Sequence, residues 1–526
     1  MDRRTRQISA VVTALAVAWA VWRARAETWV CDDAFISFRY ARNLVEGHGL
    51  VFNAGERLEG YTNFLWTLLI AGGLALDLDP VAVAAALGIA AYAVLVGLLG
   101  FRRLETGWPL AALACALHLH LQRFATGGLE TMLFTLLVTA TVLQAARAET
   151  RRAWLVVGLL GALATLTRPE GAAVLLLCAL SGRRKGGWAL AVGAAIGIPY
   201  VAWKLWWFGE LLPNTWYAKG GSDWAQGLLH LRLYTQAYWP VMVGMLAACV
   251  LAWRTRGRLP LLITAVCGVL ILHFARVGDF MFARFCLPFT PLLLVALEEA
   301  LPRKYGALWT ALVGAAIVMS PYPGQLRARP GDPGGVSGIL EEKDWYPPEW
   351  VAEAQRQGSI IAEKAGGIDL HAAYYGTQAM LVYHGRVRAL EAHVGLTDFE
   401  VARLPIPEDA RTGHGQKTTP EYLRGRGVDV VFDYRLSQEA NRFETIDFGE
   451  GVTGKLSCWR GEVLRPLSER GVVVFDVPGF LDGYIAAMSD FEDSKVEADF
   501  AWMEGFYFDH NDDQPRRRAF LERLGR

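Results

Sequence analysis

Residues 31–40, CDDAFISFRY, hold two adjacent carboxylates, Asp32 and Asp33, directly before a run of aromatic and apolar residues. An apolar segment, residues 8–22, precedes this stretch and itself follows three arginines. Residues 24–26, Ala-Arg-Ala, resemble a signal-peptidase site, so the apolar segment is either a membrane span or a cleaved signal. In both cases we expect the aspartates on the outer side of a membrane, where a plain anchor needs no such polar cluster.

The composition of the 526-residue chain indicates an α-helical polytopic membrane domain followed by a water-soluble domain. Hydrophobic residues make up 53% of the chain and are concentrated before about residue 320, in blocks of about 13 to 21, near the length that crosses a bilayer. We therefore predict a transmembrane domain at 1–320 with a first periplasmic loop at 25–80, a linker at 321–338 and a periplasmic domain at 339–526. The net charge of zero provides no basic surface for nucleic acid.

Positively charged loops set the orientation, because cytoplasmic loops collect Lys and Arg. If residues 62–76 cross the membrane, every later positive cluster faces outwards, whereas all of them fall inside if the segment lies along the membrane. About fifteen residues rise only about 22 Å as a helix, which also favours the second arrangement. The sequence therefore predicts about 11 spans in the cytoplasmic membrane, with the N-terminus inside and the C-terminal domain outside.

This orientation brings five polar loops to one outer face. Basic residues at the outer ends of spans break the charge rule, so each of them is a candidate for a site. The residues concerned, beside the aspartate pair, are Glu130, Arg168, Glu170, Asn214, Lys219, Asp279 and Arg284. Each also has an ordinary structural explanation, such as a helix start at Glu130 or a local salt bridge between Asp279 and Arg284.

The polar remainder of the chain indicates a mixed α/β domain. Short apolar runs predict strands at 359–362, 380–383, 428–432 and 472–475. Helical spacing and end signals predict helices at 350–356, 420–426 and 516–524. The cysteines show neither a CxxC pattern nor zinc spacing, so the sequence predicts no metal centre of that kind.

Sugar transfer from a phosphate-linked donor gives the outer cluster a chemical use, although an adjacent Asp pair can also be a solvated loop or a helix N-cap. A positioned carboxylate can take the proton of the attacking hydroxyl, an effect typically worth roughly 10²–10⁴-fold in rate. Asp32 is our first choice for this base, and Asp33 for an acceptor or metal ligand. The departing phosphate needs positive charge or a metal ion. The expected phosphate partners are Arg168, Lys219 and Arg284, and the candidate ligands of a divalent cation, Mg²⁺ or Mn²⁺, are Asp33 and Glu130.

Several motifs resemble those of the GT-C glycosyltransferases, integral membrane enzymes that use polyprenyl-phosphate-linked sugars. The motifs are residues 32–40, 47–53, 55–62, 126–130, 167–171, 213–219 and 278–284, with 395–398 and 413–414 in the C-terminal part. More narrowly, they are similar to the terminal arabinofuranosyltransferase family of mycobacterial cell-wall synthesis and its relatives in other bacteria. The resemblance maps the catalytic aspartate of the first outer loop onto Asp32 or Asp33, and a second acidic residue onto Glu130.

The resemblance implies an inverting transfer of a sugar, with arabinofuranose as first candidate, from a polyprenyl-phosphate donor to a glycan or lipid of the cell envelope. The chain is shorter than we expect of the mycobacterial enzymes, which leaves the sugar and the acceptor open. The residues expected to bind donor or acceptor at the outer face are Arg39, Tyr40, His48, Asn53, Glu56, Glu59, Tyr61, Glu130, Arg168, Glu170, Asn214, Lys219, Asp279 and Arg284.

A non-enzymatic membrane protein, such as a transporter or a scaffold for envelope or motility machinery, is the alternative interpretation. Transporters usually place charges near mid-membrane and often show repeated halves, whereas these charges gather at one predicted face and no repeat is evident. A transferase of lipid-linked phospho-groups is a third option. The sequence favours the glycosyltransferase among the three.

Overall fold

The structure is a computed structural model that describes residues 3–104, 107–218, 223–319, 324–326, 335–375, 378–406, 416 and 418–526. These residues form two compact units. The first unit holds the described residues of 1–51 and 59–348, and the second holds those of 52–58, 349–410 and 414–526. The first unit therefore continues beyond the Pro/Gly-rich stretch, as far as Pro348, and it excludes a short piece of the first loop.

Helices α1 to α16 build the first unit. Their bounds are Arg3–Ala26, Ala34–Val45, Phe64–Leu74, Pro80–Phe101, Leu110–Leu117, Leu119–Phe124, Thr131–Arg147, Arg151–Thr167, Gly171–Ser181, Gly187–Phe208, Asn214–Ala218, Trp224–Ala237, Trp239–Thr255, Arg258–Val277, Thr290–Ala300 and Gly306–Val318. The ends of α4 show how capping residues set the bounds of a helix. The Asp79 side chain accepts two backbone N–H bonds, Pro80 takes the first helical position, and no charge follows until Arg102.

Among the described residues, four helices are long and apolar enough to cross a membrane: Arg6–Ala26, Pro80–Phe101, Arg183–Phe208 and Arg258–Val277. Helices α12 and α13 pass the same test as a pair but bend by 103° at their junction. Three shorter apolar helices are α3, α7 and α9. The chain is thus a multi-pass membrane protein, while its orientation and the number of about 11 spans stay predictions. With 11 residues, α3 rises only about 16 Å, well short of a bilayer core.

After the Pro/Gly-rich stretch the chain returns to the helices of the first unit. A parallel β-bridge joins Leu340 to Met281, with a backbone hydrogen bond of 2.9 Å on either side. Glu341 is buried and lies 2.8 Å from the Nε2 atom of His120. This docking places a 3₁₀ helix, Glu342–Trp345, inside the first unit.

The described residues of the second unit form a six-stranded mixed sheet. Strands β1 to β6 are His371–Tyr374, Arg388–Glu391, Val430–Phe432, Thr445–Asp447, Thr453–Leu456 and Val473–Val474. Their order is β2-β1-β3-β5-β4-β6, in which β2, β1 and β3 are parallel and the other pairs are antiparallel. Helices α17 to α24 are Pro348–Ala365, Ala379–Gly385, Pro420–Gly425, Tyr434–Glu439, Gly461–Glu469, Val477–Ala487, Asp493–Phe506 and Gln514–Arg523. The C-terminal part thus contains both helices and sheet, as the sequence predicted.

Two of the predicted strands are wrong. Residues 359–362 lie in α17, and residues 380–383 lie in α18. A short apolar run does not distinguish a strand from a buried helix segment, and 359–362 continue the helix that begins before Trp350, because that helix tolerates Gly358 in its interior. The predicted strands at 428–432 and 472–475 contain β3 and β6, and the three predicted helices coincide with α17, α19 and α24.

Part of the first loop belongs to the second unit. The Asn53 side chain pairs with the backbone of Ala389 on the edge strand β2: Nδ2 donates to the carbonyl at 2.8 Å, and Oδ1 accepts from the N–H at 3.0 Å. Glu56 forms an ion pair with Arg388 on the same strand. The loop therefore covers the edge of the sheet at β2, where the backbone N–H and carbonyl groups would otherwise have no strand to pair with.

Candidate active site

Asp32 and Asp33 lie at the turn that begins α2. Asp32 is only 3% exposed, and Asp33 occupies the N-cap position, but its side chain accepts no capping bond from the described helix. The N–H groups at a helix start favour negative charge, so both carboxylates lie in a favourable field. The backbone N–H of Cys31 donates to the carbonyl of Gly127 at 3.1 Å and ties this turn to the loop before Glu130.

Gly128 allows that loop to approach α2 closely. Its φ is +87°, and a Cβ there would lie 2.6 Å from the Cβ of Ala34. The indole of Trp66 donates to the Gly128 carbonyl at 3.0 Å. Only glycine meets both conditions at low cost, since it lacks a Cβ and adopts positive φ freely.

Glu342 adds a third carboxylate to the surroundings of Asp33. It is buried, and burial together with the charges of Asp33 and Asp279 raises the pKa of Glu342 to about 8. Burial and the charge of Asp33 also raise the pKa of the Cys31 thiol. The positive charge of Arg284 opposes both shifts. At neutral pH the Glu342 carboxyl is therefore mostly protonated and can donate a hydrogen bond.

Arg168 joins two acidic residues beside the aspartate turn. One of its terminal nitrogens lies 2.9 Å from Glu130 and the other 3.1 Å from Glu170. Burial alone would lower the pKa of Arg168. The charges of Glu170 and Glu130 outweigh burial and raise this pKa above its usual value. Burial alone would raise the pKa of Glu170. The charge of Arg168 and a hydrogen bond from His273 outweigh burial and hold this pKa well below its usual range. Arg168 and Glu170 therefore remain charged, and Asn63 completes the cluster by donating to Glu130 at 2.9 Å.

Arg284 lies farther from its nearest carboxylate than Arg168 does. Its closest carboxylate, that of Glu130, is 3.9 Å away, and its guanidinium lies 5.5 Å from the centre of the Phe285 ring. Arg168 lies over the same ring at 4.8 Å. Because the carboxylates next to Arg168 already neutralise it, Arg284 is the better placed cation for an incoming phosphate.

A second polar cluster surrounds Glu59. Its carboxylate lies 2.6 Å from the Nζ atom of Lys204, and both side chains are buried. The Glu59 carbonyl accepts the backbone N–H of Asn214 at 2.8 Å, while Tyr200 hydrogen-bonds the Glu59 side chain. Tyr61 interacts electrostatically with the Glu59 carboxylate and is itself buried. Three predicted site residues, Glu59, Tyr61 and Asn214, thus lie together.

Not all of the other predicted site residues lie in these two clusters. His48 is exposed, and Asn53 and Glu56 belong to the second unit. Lys219 lies outside the described residues. Arg39 and Tyr40 are buried on α2, where the Tyr40 hydroxyl accepts the Gly60 N–H at 2.8 Å.

The site also contains Asn63, Lys204 and Glu342, which the sequence did not single out. Lys204 carried a usable signal, because a lone charge in an apolar run usually marks a binding site. Asn63 directly follows the motif at 55–62 and could have been included with it. Glu342 lies in a polar region whose pattern gives no indication that the chain turns back to the helices.

The predicted divalent-cation site at Asp33 and Glu130 stays a prediction. One carboxylate oxygen of Glu130 accepts from Asn63 at 2.9 Å and the other from Arg168 at 2.9 Å. No group of three or more His, Cys, Asp or Glu side chains in the described ranges is arranged to hold a metal ion. The reaction proposed below includes no metal-dependent step.

Comparison with known proteins identifies relatives that cover part of the chain. No family model matches it. Over 290 residues it is 28% identical to a terminal beta-(1->2)-arabinofuranosyltransferase of Mycobacterium tuberculosis, a match that covers 49% of this chain and 46% of the relative. Over 379 residues it is 28% identical to a protein of the same name from Corynebacterium glutamicum, covering 60% and 54%. The chain thus spans about half the length of the curated relatives that it matches.

A solved structure shows the fold. The crystal structure of ArnT from Cupriavidus metallidurans bound to undecaprenyl phosphate matches with a TM-score of 0.50 and 14% identity, covering 72% of this chain and 85% of that one. The chain has a GT-C fold. This confirms the fold that the sequence motifs predicted, and at this low identity the likeness concerns the fold alone.

Proposed function

We propose that this chain is a membrane glycosyltransferase that moves a sugar, with arabinofuranose as first candidate, from a polyprenyl-phosphate donor to a glycan or lipid of the cell envelope. The observation that carries the proposal is the aspartate pair at the start of buried α2, with Arg284 and the carboxyl groups of Asp279 and Glu342 around it. The two arabinofuranosyltransferase relatives support the sugar, and the undecaprenyl phosphate bound to ArnT supports the class of donor.

The proposed reaction is a single displacement with inversion. Asp32 takes the proton of the acceptor hydroxyl, and the oxygen of that hydroxyl bonds to the anomeric carbon. The bond from this carbon to the phosphate oxygen breaks on the opposite face, and its electron pair leaves with the polyprenyl phosphate. Arg284 stabilises the charge that develops on the phosphate. Asp33, which is less buried than Asp32, orients the acceptor hydroxyl.

We further propose about 11 spans and a C-terminal unit in the periplasm. Ser489 is exposed on that unit, and Cys249 is the one exposed cysteine of the described chain, so S489C in a Cys249→Ala background isolates a single reporter. A maleimide that cannot cross the cytoplasmic membrane should label this cysteine in spheroplasts. Labelling only after lysis would contradict the orientation.

Transfer with purified protein tests the proposed activity. The protein in lipid nanodiscs is incubated with a set of polyprenyl-phosphate sugars, each labelled in the sugar, and with envelope glycan as acceptor. We expect one label to move to the acceptor, and Asp32→Asn to slow this transfer by roughly 10²–10⁴-fold. Movement of a labelled phospho-group would instead favour a phosphotransferase, and no movement of any label would contradict the proposal.

A further inference from the structure

We propose that Glu59, Tyr61, Tyr200 and Lys204 form a sugar-binding subsite, which hydrogen-bonds neighbouring hydroxyl groups of a sugar ring. This inference rests on the proposed function and adds to it the side chains that recognise carbohydrate. Three observations carry it: a buried ion pair, a buried tyrosine hydroxyl without a described partner, and aromatic ring faces beside both.

The ion pair includes Lys204, a charged residue within the otherwise apolar helix α10. Helix α10 is apolar and largely exposed along its length, yet Lys204, one turn before its end at Phe208, is buried. Its Nζ atom lies 2.6 Å from an oxygen of Glu59, and both side chains are less than a tenth exposed. Charged residues in membrane helices are costly, face the protein interior and mark sites of function. Lys204 has one polar partner among the described residues, which leaves further N–H donors for a ligand.

The hydroxyl of Tyr61 is the second observation. This side chain is 3% exposed, and its hydroxyl has no hydrogen-bond partner in the part of the chain that the structure describes. Buried hydroxyl groups are nearly always bonded, so an unbonded one points to a ligand or a water molecule. Burial and the charge of Glu59 raise the pKa of Tyr61 well above its usual value. The group therefore keeps its proton and can donate it in a hydrogen bond.

Aromatic rings line the same cluster. The Phe64 ring lies 4.7 Å from that of Tyr200 and 5.4 Å from that of Trp203, measured between centres, and all three are partly exposed. The rings of Tyr40 and Tyr61 are 4.6 Å apart. A sugar has an apolar C–H face as well as polar edges, and aromatic residues with a polar tip match both.

The charges favour hydroxyl groups over phosphate. Glu59 neutralises Lys204 at close range, so a phosphate bound to the ammonium would also meet the Glu59 carboxylate. A hydroxyl group can donate to a carboxylate and accept from an ammonium, and neighbouring hydroxyl groups can do both at once. Burial raises the pKa of Glu59 despite the attraction of Lys204, which shows how poorly solvated this pair is.

Helix α2 connects the subsite to the aspartate pair. Tyr40 follows Asp33 by seven residues, or about 10 Å along the helix, and its ring packs on that of Tyr61. Between them, Ser37 hydrogen-bonds Asn63 at 3.1 Å. A sugar held at the subsite therefore lies close enough to the aspartates to belong to a substrate bound there.

Tyr61→Phe is the sharpest test, because it removes only a hydroxyl that has no described partner. The purified protein is assayed with donor varied at saturating acceptor, and then with acceptor varied at saturating donor. We expect kcat/KM to fall about tenfold, the usual effect of one neutral hydrogen bond. The substrate whose kcat/KM changes shows whether the sugar at the subsite belongs to the donor or to the acceptor. The thermal unfolding temperature should not fall.

A matched control and a second variant complete the experiment. Tyr92→Phe removes a buried hydroxyl that donates to the Cys115 carbonyl at 2.7 Å, so it should lower the unfolding temperature without changing kcat/KM. Tyr200→Phe should act on the same substrate as Tyr61→Phe. If the wild type transfers sugar and both subsite variants keep wild-type kcat/KM for donor and acceptor, the subsite is refuted while the proposed function stands. If the wild type transfers no sugar, the proposed function itself fails, and the subsite with it.

Discussion

Removing the charge of Arg168 should destabilise the first unit strongly. Arg168 holds Glu130 at 2.9 Å and Glu170 at 3.1 Å, and its own side chain is 11% exposed. Arg168→Met leaves the buried carboxylate of Glu130 and the partly buried one of Glu170 without this cation, and breaking a buried ion pair typically costs about 3–5 kcal/mol. Arg168→Lys should lie in between, because a single ammonium cannot bond two separate carboxylates in the way that a guanidinium does.

A double-mutant cycle separates this effect from a general loss of packing. The free energy of unfolding is measured by denaturant titration of the purified protein for Arg168→Met, Glu130→Gln and the double variant. The double variant should be more stable than the sum of the single losses predicts, by about 0.5–3 kcal/mol, because Glu130→Gln removes one of the stranded charges. Lys185→Met is the control, since its pair with Glu149 spans 4.0 Å and is well exposed, and it should cost less than about 1 kcal/mol. Strict additivity, or an Arg168→Met protein as stable as the wild type, would refute the reasoning.

Three further predictions concern single positions. Asn53→Ala should cost about 1–3 kcal/mol and speed hydrogen exchange at the Ala389 amide, since it leaves a buried backbone N–H and carbonyl unpaired; unchanged exchange would contradict the edge pairing. Burial, assisted by the charge of Arg388, lowers the pKa of His371 to about 4, so the unfolded chain binds more protons between about pH 6.5 and pH 4. Stability should fall by at most about 3 kcal/mol as the pH drops through that window, and His371→Phe should weaken this dependence; an equal pH dependence in the variant would disprove the assignment. Gly128→Ala should lower both stability and transfer, because the new Cβ meets that of Ala34 at 2.6 Å, and wild-type values for both would show that the loop can move away.

Several charged residues that the sequence singled out lie close together in the structure, for a physical reason. Charged residues at the ends of apolar segments are stable only in contact with water, lipid headgroups or other charged groups, so they tend to lie near one another. Glu130, Arg168 and Arg284, which are distant in sequence, are brought together in the structure. The glycine-rich turn before Glu130 was also recognisable as part of a motif.

The partners of the remaining site residues depend on tertiary contacts that no local pattern encodes. Lys204 lies in an apolar run, and its burial against Glu59 follows from how α10 packs on the first loop. Glu342 reaches the site because the chain after the Pro/Gly-rich stretch docks beside Met281. The same limit explains the wrong strands at 359–362 and 380–383, since the apolar runs there fit a helix as well as a strand.

The most direct test of the account is transfer of labelled sugar from polyprenyl phosphate by the wild type, Asp32→Asn and Asp33→Asn, measured side by side in nanodiscs. The account predicts transfer by the wild type with inversion at the anomeric carbon. It also predicts a loss of roughly 10²–10⁴-fold in Asp32→Asn with an unchanged unfolding temperature, and a marked loss in Asp33→Asn. Full transfer by both variants would contradict the assignment of the aspartate pair as the reactive centre.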